Sequence, residues 1–155
     1  MAELTHLDDE GRARMVNVGA KVETHRVAVA EARVVMAPDA KSALFAGTLP
    51  KGDALAVTRI AAIQGAKQTP TLVPLCHPIG IDAIAADVEV TDTGARVVVT
   101  VEVTAKTGVE MEAMTGAAIG AIALYDMIKA VDKGAVIGPI QLLSKSGGKS
   151  GDWTR

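Results

Sequence analysis

Asp126, inside the apolar run from Ile119 to Ile128, and Lys129, just after it, stand three residues apart, a spacing that puts both side chains on one face of a helix. In such surroundings a carboxylate and an ammonium shift each other's proton affinity, so one site could hold a proton donor beside an acceptor at neutral pH. The plain alternative is a surface ion pair. Two more polar clusters interrupt apolar sequence: Leu75-Cys76-His77-Pro78 and Lys106-Thr107-Gly108-Val109-Glu110-Met111-Glu112. Ionisable groups are costly to desolvate unless paired or used, so three such clusters point to an active site.

His77 sits in a loop stiffened by Pro74 and Pro78, which fixes the direction of its imidazole for proton transfer or phosphate contact. A histidine merely hydrogen-bonded at a loop corner is the competing reading. Cys76 reads as a small buried hydrophobe rather than a nucleophile. Glu110 and Glu112 face one way on an extended chain but diverge on a helix, so spacing alone leaves open whether they touch a ligand or only favour a helix N-terminus. Lys21, Arg26, Lys51, Lys67, Lys145 and Lys149 recur at element ends; singly they are solvated charges, but several converging on one cleft would bind a polyphosphate.

The elements that must position these groups fit one domain. The chain has 155 residues, 49% of them apolar but only 2% aromatic, so the interior must be built from Ala, Val, Ile and Leu with Met filling gaps. A core of small side chains buries little area per residue, which predicts subunit association. A net charge of −2 gives no global nucleic-acid footprint, and the scarcity of aromatics argues against base stacking. Cys76 is the single cysteine, excluding an internal disulfide and a Cys-x-x-Cys zinc site. No membrane span or signal-peptide core is read, and a cytoplasmic location is expected.

Residues 1–14 lack an apolar period and read as a flexible arm, 15–143 as a single catalytic domain, and 144–155 as a flexible Gly/Ser/Lys-rich tail. Within the domain the patterns predict a strand over Val22 to Met36, a short helix opened by Pro38 and closed by Gly47, and a helix from Ala54 to Lys67 capped by Asp53. Leu55, Ile60, Ile63 and several alanines should form that helix's buried side. Strands near Ile81 to Val90 and Arg96 to Thr104 flank the hairpin signal Asp92-Thr93-Gly94, with Val97, Val99, Val101 and Val103 on one face. A buried helix over Met111 to Val131 and a strand over Ala135 to Leu143 complete an α+β fold. The order is close to a split βαβ arrangement with an added helix in the first crossover, an antiparallel sheet carrying helices on one face.

Taken together, Met15-Val16-Asn17-Val18, Pro50-Lys51-Gly52-Asp53, Leu75 to Pro78, Lys106 to Met114, Tyr125 to Lys133 and Lys145 to Gly151 stand in the order and spacing of a known family. The chain resembles the molybdenum cofactor biosynthesis protein C family, the cyclic pyranopterin monophosphate synthases. The resemblance implies the same architecture, a ferredoxin-like subunit, assembled into a homo-hexamer, a trimer of dimers with the pocket at a subunit boundary. Its implied reaction converts a cyclised 7,8-dihydroguanosine 5′-triphosphate into cyclic pyranopterin monophosphate and pyrophosphate. By position it implies Asp126 as acid–base residue, with Lys51, Lys129 and His77 also catalytic. Leu75, Cys76, His77, Met111 and Glu112 would line the substrate, joined by Glu110, Arg26 and Lys67, while Lys145 and Lys149 close over phosphates. It implies no protein-bound cofactor or metal; Mg²⁺ would arrive only with the triphosphate. Asn17 replaces the family's usual Asp, Lys106 a common Arg, and Ile79 a common Leu. Two rival readings are a metal-dependent phosphohydrolase using His77, Glu110, Glu112 and Asp126, and a non-catalytic nucleotide-binding module.

Overall fold

Alternation of valine and alanine with polar residues builds the centre of the sheet. In the computed structural model, which describes residues 7, 8 and 10–155, β1 (Thr24–Val35) pairs antiparallel with β3 (Gly94–Ala105) on one side and β4 (Val136–Ser146) on the other. β2 (Ala83–Thr91) flanks β3, and β5 (Trp153–Thr154) flanks β4, giving the order β2-β3-β1-β4-β5. This is the expected antiparallel, ferredoxin-like α+β fold with one additional short strand. Ala28, Ala30, Ala32 and Val34 of β1 and Val97, Val99, Val101 and Val103 of β3 form the covered face, all essentially inaccessible. On the opposite face Glu31 is only 1% exposed and accepts from Gln141 (2.7 Å), Arg33 (2.9 Å) and Arg96 (3.2 Å). Burial pushes its carboxyl up, but these donors outweigh it and hold the group below the usual range.

Four helices connect the strands. α1 (Pro38–Ala46) stops at Gly47, whose φ of 70° lets the chain turn back while Thr48 N–H bonds the Ala43 carbonyl at 3.0 Å. α2 (Ala54–Lys67) begins where Asp53 Oδ1 accepts from Ala56 N–H at 2.9 Å. Pro70 sits in the first turn of α3 (Thr69–Leu72), where its missing N–H costs no helical hydrogen bond. α4 (Glu110–Ile128) packs along α2 and over β1 and β3.

The expected buried side of α2 is corrected at Ile60, which is 62% exposed. The expected alanines are buried, Ala54, Ala62 and Ala66 facing inward with Thr58 and Gly65, while Leu55 and Ile63 are half-buried. Large residues do not fit because α2 and α4 approach almost backbone to backbone: a Cβ on Gly65 would lie 2.6 Å from Ile119 Cβ, and one on Gly120 would lie 3.0 Å from Ala62 Cβ. Gly65→Ala therefore pits a helix-propensity gain of about 1 kcal/mol against overpacking of about 1–3 kcal/mol. Ile119 Cβ is fixed to its backbone and cannot rotate away, so the second effect wins. Urea unfolding should show a net loss of stability for Gly65→Ala, where an open helix site would show a gain.

α4 is the one helix among the described residues with the length and composition of a membrane span, and half of it is buried in the core. Ala113, Ala117, Ala121, Leu124 and Ile128 are fully buried. Residues 1–6 and 9 of the expected 1–14 arm lie outside the described residues; next to them, Asp8 Oδ1 accepts from Glu10 and Arg12 N–H at 3.0 and 2.8 Å. The expected strand end at Leu143 is passed. β4 runs to Ser146, and the chain turns so that Trp153 and Thr154 pair with Lys145 and Ser144. Backbone groups of the 144–155 segment thus find partners that glycine and serine content alone does not reveal.

Candidate active site

The loop after α3 and the first turn of α4 meet in a cavity of about 460 Å³. Leu75, Cys76 and His77 form one wall, Glu110, Met111 and Glu112 another, and Val16, Val18 and Lys21 from the segment before β1 a third. Glu112 is 3% exposed. Burial pushes its carboxyl above the usual range, its own backbone N–H works the other way, and the charge of Glu110 raises it further. The group is thereby biased toward a protonated form able to donate a hydrogen bond. Burial, then the Glu112 charge, also raises the Cys76 thiol, which disfavours the thiolate and agrees with an inert cysteine.

A charge cluster occupies the other end of α4. Asp126 Oδ2 accepts from Lys51 Nζ at 2.7 Å, and Oδ1 lies 2.8 Å from Lys129 Nζ. Lys51 comes from the turn before α2, so the fold closes a sequence gap of 75 residues to build this triad. All three side chains remain substantially exposed. Hydrogen bonding to Lys129, then to Lys51, lowers the Asp126 pKa to about 2, and the same carboxylate raises that of Lys129. A depressed carboxylate pKa stabilises the fold above the unfolded value near 3.8, and that contribution disappears as pH falls through about 2. Carboxyl-carbon NMR should give a midpoint near 2 for Asp126, with Lys129→Met moving it back toward 3.8.

A second hollow, of about 740 Å³, opens beside the first and shares Lys21 with it. Arg26, Lys149, Ser150 and Thr24 line it, and the buried Thr24 hydroxyl finds no hydrogen-bond partner among the described residues. Gly148 lies so close that a Cβ there would collide with the Arg26 guanidinium. Lys145 ties this turn to the first cavity: it bonds the Ser150 hydroxyl and pairs with Glu110 at 3.2 Å.

The structure thus sorts the expected residues into groups. Asp126, Lys51 and Lys129 meet; Leu75, Cys76, His77, Glu110, Met111 and Glu112 line one cavity; Arg26 and Lys149 share the neighbouring hollow. Lys67, in the last turn of α2, lines neither. Fourteen helical residues separate Glu112 from Asp126, about 21 Å at the usual rise, so a single copy does not bring them together. Among the described residues no three His, Cys, Asp or Glu side chains are gathered for a metal ion. Sequence reasoning did not single out Thr24, Val73, Thr107 or Ser150 as lining residues. Thr107 and Ser150 fall within the runs that carried the resemblance, whereas Thr24 is an ordinary strand residue with no local signal.

Comparison with known proteins adds an independent line. A relative from Corynebacterium glutamicum, strain ATCC 13032, is 55% identical over 155 residues, covering 99% of both chains. One from Streptomyces coelicolor is 51% identical over 152 residues, covering 98% of this chain and 89% of its own. One from Thermomicrobium roseum is 51% identical over 157 residues, covering 100% of this chain and 95% of its own. All three are named cyclic pyranopterin monophosphate synthase. The MoaC family model matches residues 15–148, which takes in the first cavity, the whole Asp126 triad and all of the second hollow but Lys149 and Ser150, and the chain belongs to the MoaC family.

Proposed function

We propose that this chain is a cyclic pyranopterin monophosphate synthase of molybdenum cofactor biosynthesis, a lyase acting on (8S)-3′,8-cyclo-7,8-dihydroguanosine 5′-triphosphate. Family membership supports the activity. The observation that carries the chemistry is the carboxylate of Asp126 held between two ammonium groups. At rest that carboxylate is a weak base, its pKa near 2 set by Lys129 and Lys51. An anionic substrate competes for one of the ammoniums. Asp126 then loses a partner and gains basicity, so proton transfer is coupled to binding of the charged ligand. Closure of the cyclic phosphate joins a sugar-derived hydroxyl to the α-phosphorus as the bond to the β-phosphate oxygen breaks. Lys51 and Lys129 neutralise charge on the departing pyrophosphate. Leu75, Cys76, His77, Met111 and Glu112 hold the ring system, and Arg26, Lys149 and Lys145 receive phosphate oxygens.

The reading includes a homo-hexamer, a trimer of dimers in the cytoplasm, with Mg²⁺ present only as the substrate's counterion. Val57, Ile60, Leu72 and Ile122 place exposed apolar surface on the helical side, as association requires. The separation along α4 supports a site completed by two copies, the Asp126 triad of one facing the His77 cavity of the other. Incubation with the cyclised nucleotide, followed by assays for pyrophosphate and for a pterin fluorophore after oxidation, tests the function. Both products are expected, and activity should persist in excess chelator with a modest loss; absence of both products refutes the reading.

A further inference from the structure

His77 Nε2 lies 2.8 Å from the carbonyl oxygen of Val16. A carbonyl can only accept, so the proton sits on Nε2. In the neutral ring this leaves the lone pair on Nδ1, for which no protein partner is found among the described residues. His77 is also a wall of the first cavity.

The carbonyl that fixes the ring belongs to a strap, Val16 to Gly19, that crosses the cavity before β1 begins. Val16 and Val18 line the cavity from this strap. Asn17 Oδ1 accepts from Gly19 N–H at 2.8 Å, a turn that an aspartate would form equally well. Lys106 Nζ then donates to the Gly19 carbonyl at 2.9 Å, a charge-assisted bond across 87 residues of sequence. Lys106 directly follows the end of β3, so the strap is anchored to the central sheet. Asn17 and Lys106, two of the three positions that depart from the family's usual pattern, therefore both act on the strap.

We propose that Lys106 is a positioning residue. By anchoring the Val16–Gly19 strap it holds His77 as the Nε2–H tautomer, leaving Nδ1 as the acceptor for an N–H or O–H of the cavity's ligand. The ligand part rests on the function proposed above, but the tautomer does not.

The decisive measurement uses the full-length protein with ¹⁵N-labelled histidine rings and no ligand, with His77 assigned by its loss in His77→Gln. The wild type is expected to show one His77 tautomer, protonated at Nε2, with a slowly exchanging ring N–H. Lys106→Met should lose the slow N–H and drift toward the mixed tautomers of a free imidazole, while Lys106→Arg keeps the wild-type pattern. Asn17→Ala provides a second, milder disturbance of the strap should Lys106→Met fold poorly. In turnover, Lys106→Met should lower kcat/KM about tenfold at unchanged melting temperature, with Lys106→Arg restoring it. An Nδ1–H ring in the wild type overturns the proposal, as does a His77 spectrum unchanged in both strap variants. Either result can occur with full synthase activity, so this failure is distinct from failure of the functional reading.

Discussion

Asp126→Asn is expected to reduce kcat by about a thousandfold while leaving substrate affinity within a few-fold of wild type. The amide keeps the size of the side chain and one acceptor oxygen, so Lys51 or Lys129 can still be held near its present position. What disappears is the negative charge that orders two ammoniums and the basicity that appears when one of them moves to the ligand. Binding depends on positive charge, and the substitution removes an anion; affinity for a polyphosphate should therefore hold or improve. Steady-state kinetics with equilibrium dialysis of the substrate separate the two effects. A variant that keeps a tenth or more of wild-type turnover would remove Asp126 from the chemistry and revive the binding-module reading.

Recovery of activity from two inactive proteins is the second large effect. Asp126→Asn and His77→Ala, each nearly inactive alone, should regain about one quarter of wild-type turnover after equimolar mixing under conditions that exchange subunits. The fraction follows from assortment: if a site takes its triad from one copy and its cavity from another, one pairing in four combines an intact triad with an intact cavity. A site assembled within one copy predicts no recovery at any mixing ratio. The contrast does not depend on the absolute rate. It also needs no assumption about which faces of the subunit meet.

Much of the fold was legible because a few local signals agreed with one another. Alternating valines on β3, the Asp92-Thr93-Gly94 turn, the Asp53 cap and the stop at Gly47 each name an element and its boundary. The buried face of α2 was legible in its alanines but not at Ile60, because hydrophobicity ranks Ile60 above Ala62 and Gly65 whereas the close approach of α4 ranks them the other way. The pairing of Trp153 and Thr154 with β4 was hidden for a related reason: it depends on backbone groups at an edge, which glycine-rich composition does not advertise.

The site was legible in part. Spacing alone brought Asp126 and Lys129 together, but Lys51 enters from 75 residues away, and only the fold or a family resemblance can supply it. Glu110 and Glu112 were ambiguous between strand and helix geometry; the helix that begins at Glu110 turns Glu112 inward and leaves Glu110 to pair with Lys145. His77 could be singled out as a rigid histidine, whereas the carbonyl that fixes its proton belongs to a backbone atom and leaves no mark on residue type.

The length of α4 carries a consequence for how this protein can change over time. One end of the helix presents the cavity carboxylates and the other the lysine-bound aspartate, with small residues locking the rod against α2 in between. Inserting or deleting a single residue in its middle would rotate one end by about 100° relative to the other. The cavity and the lysine-bound aspartate would be misaligned at once. Surface loops are free to lengthen, but this rod acts as a gauge whose residue count is fixed by the chemistry at both ends.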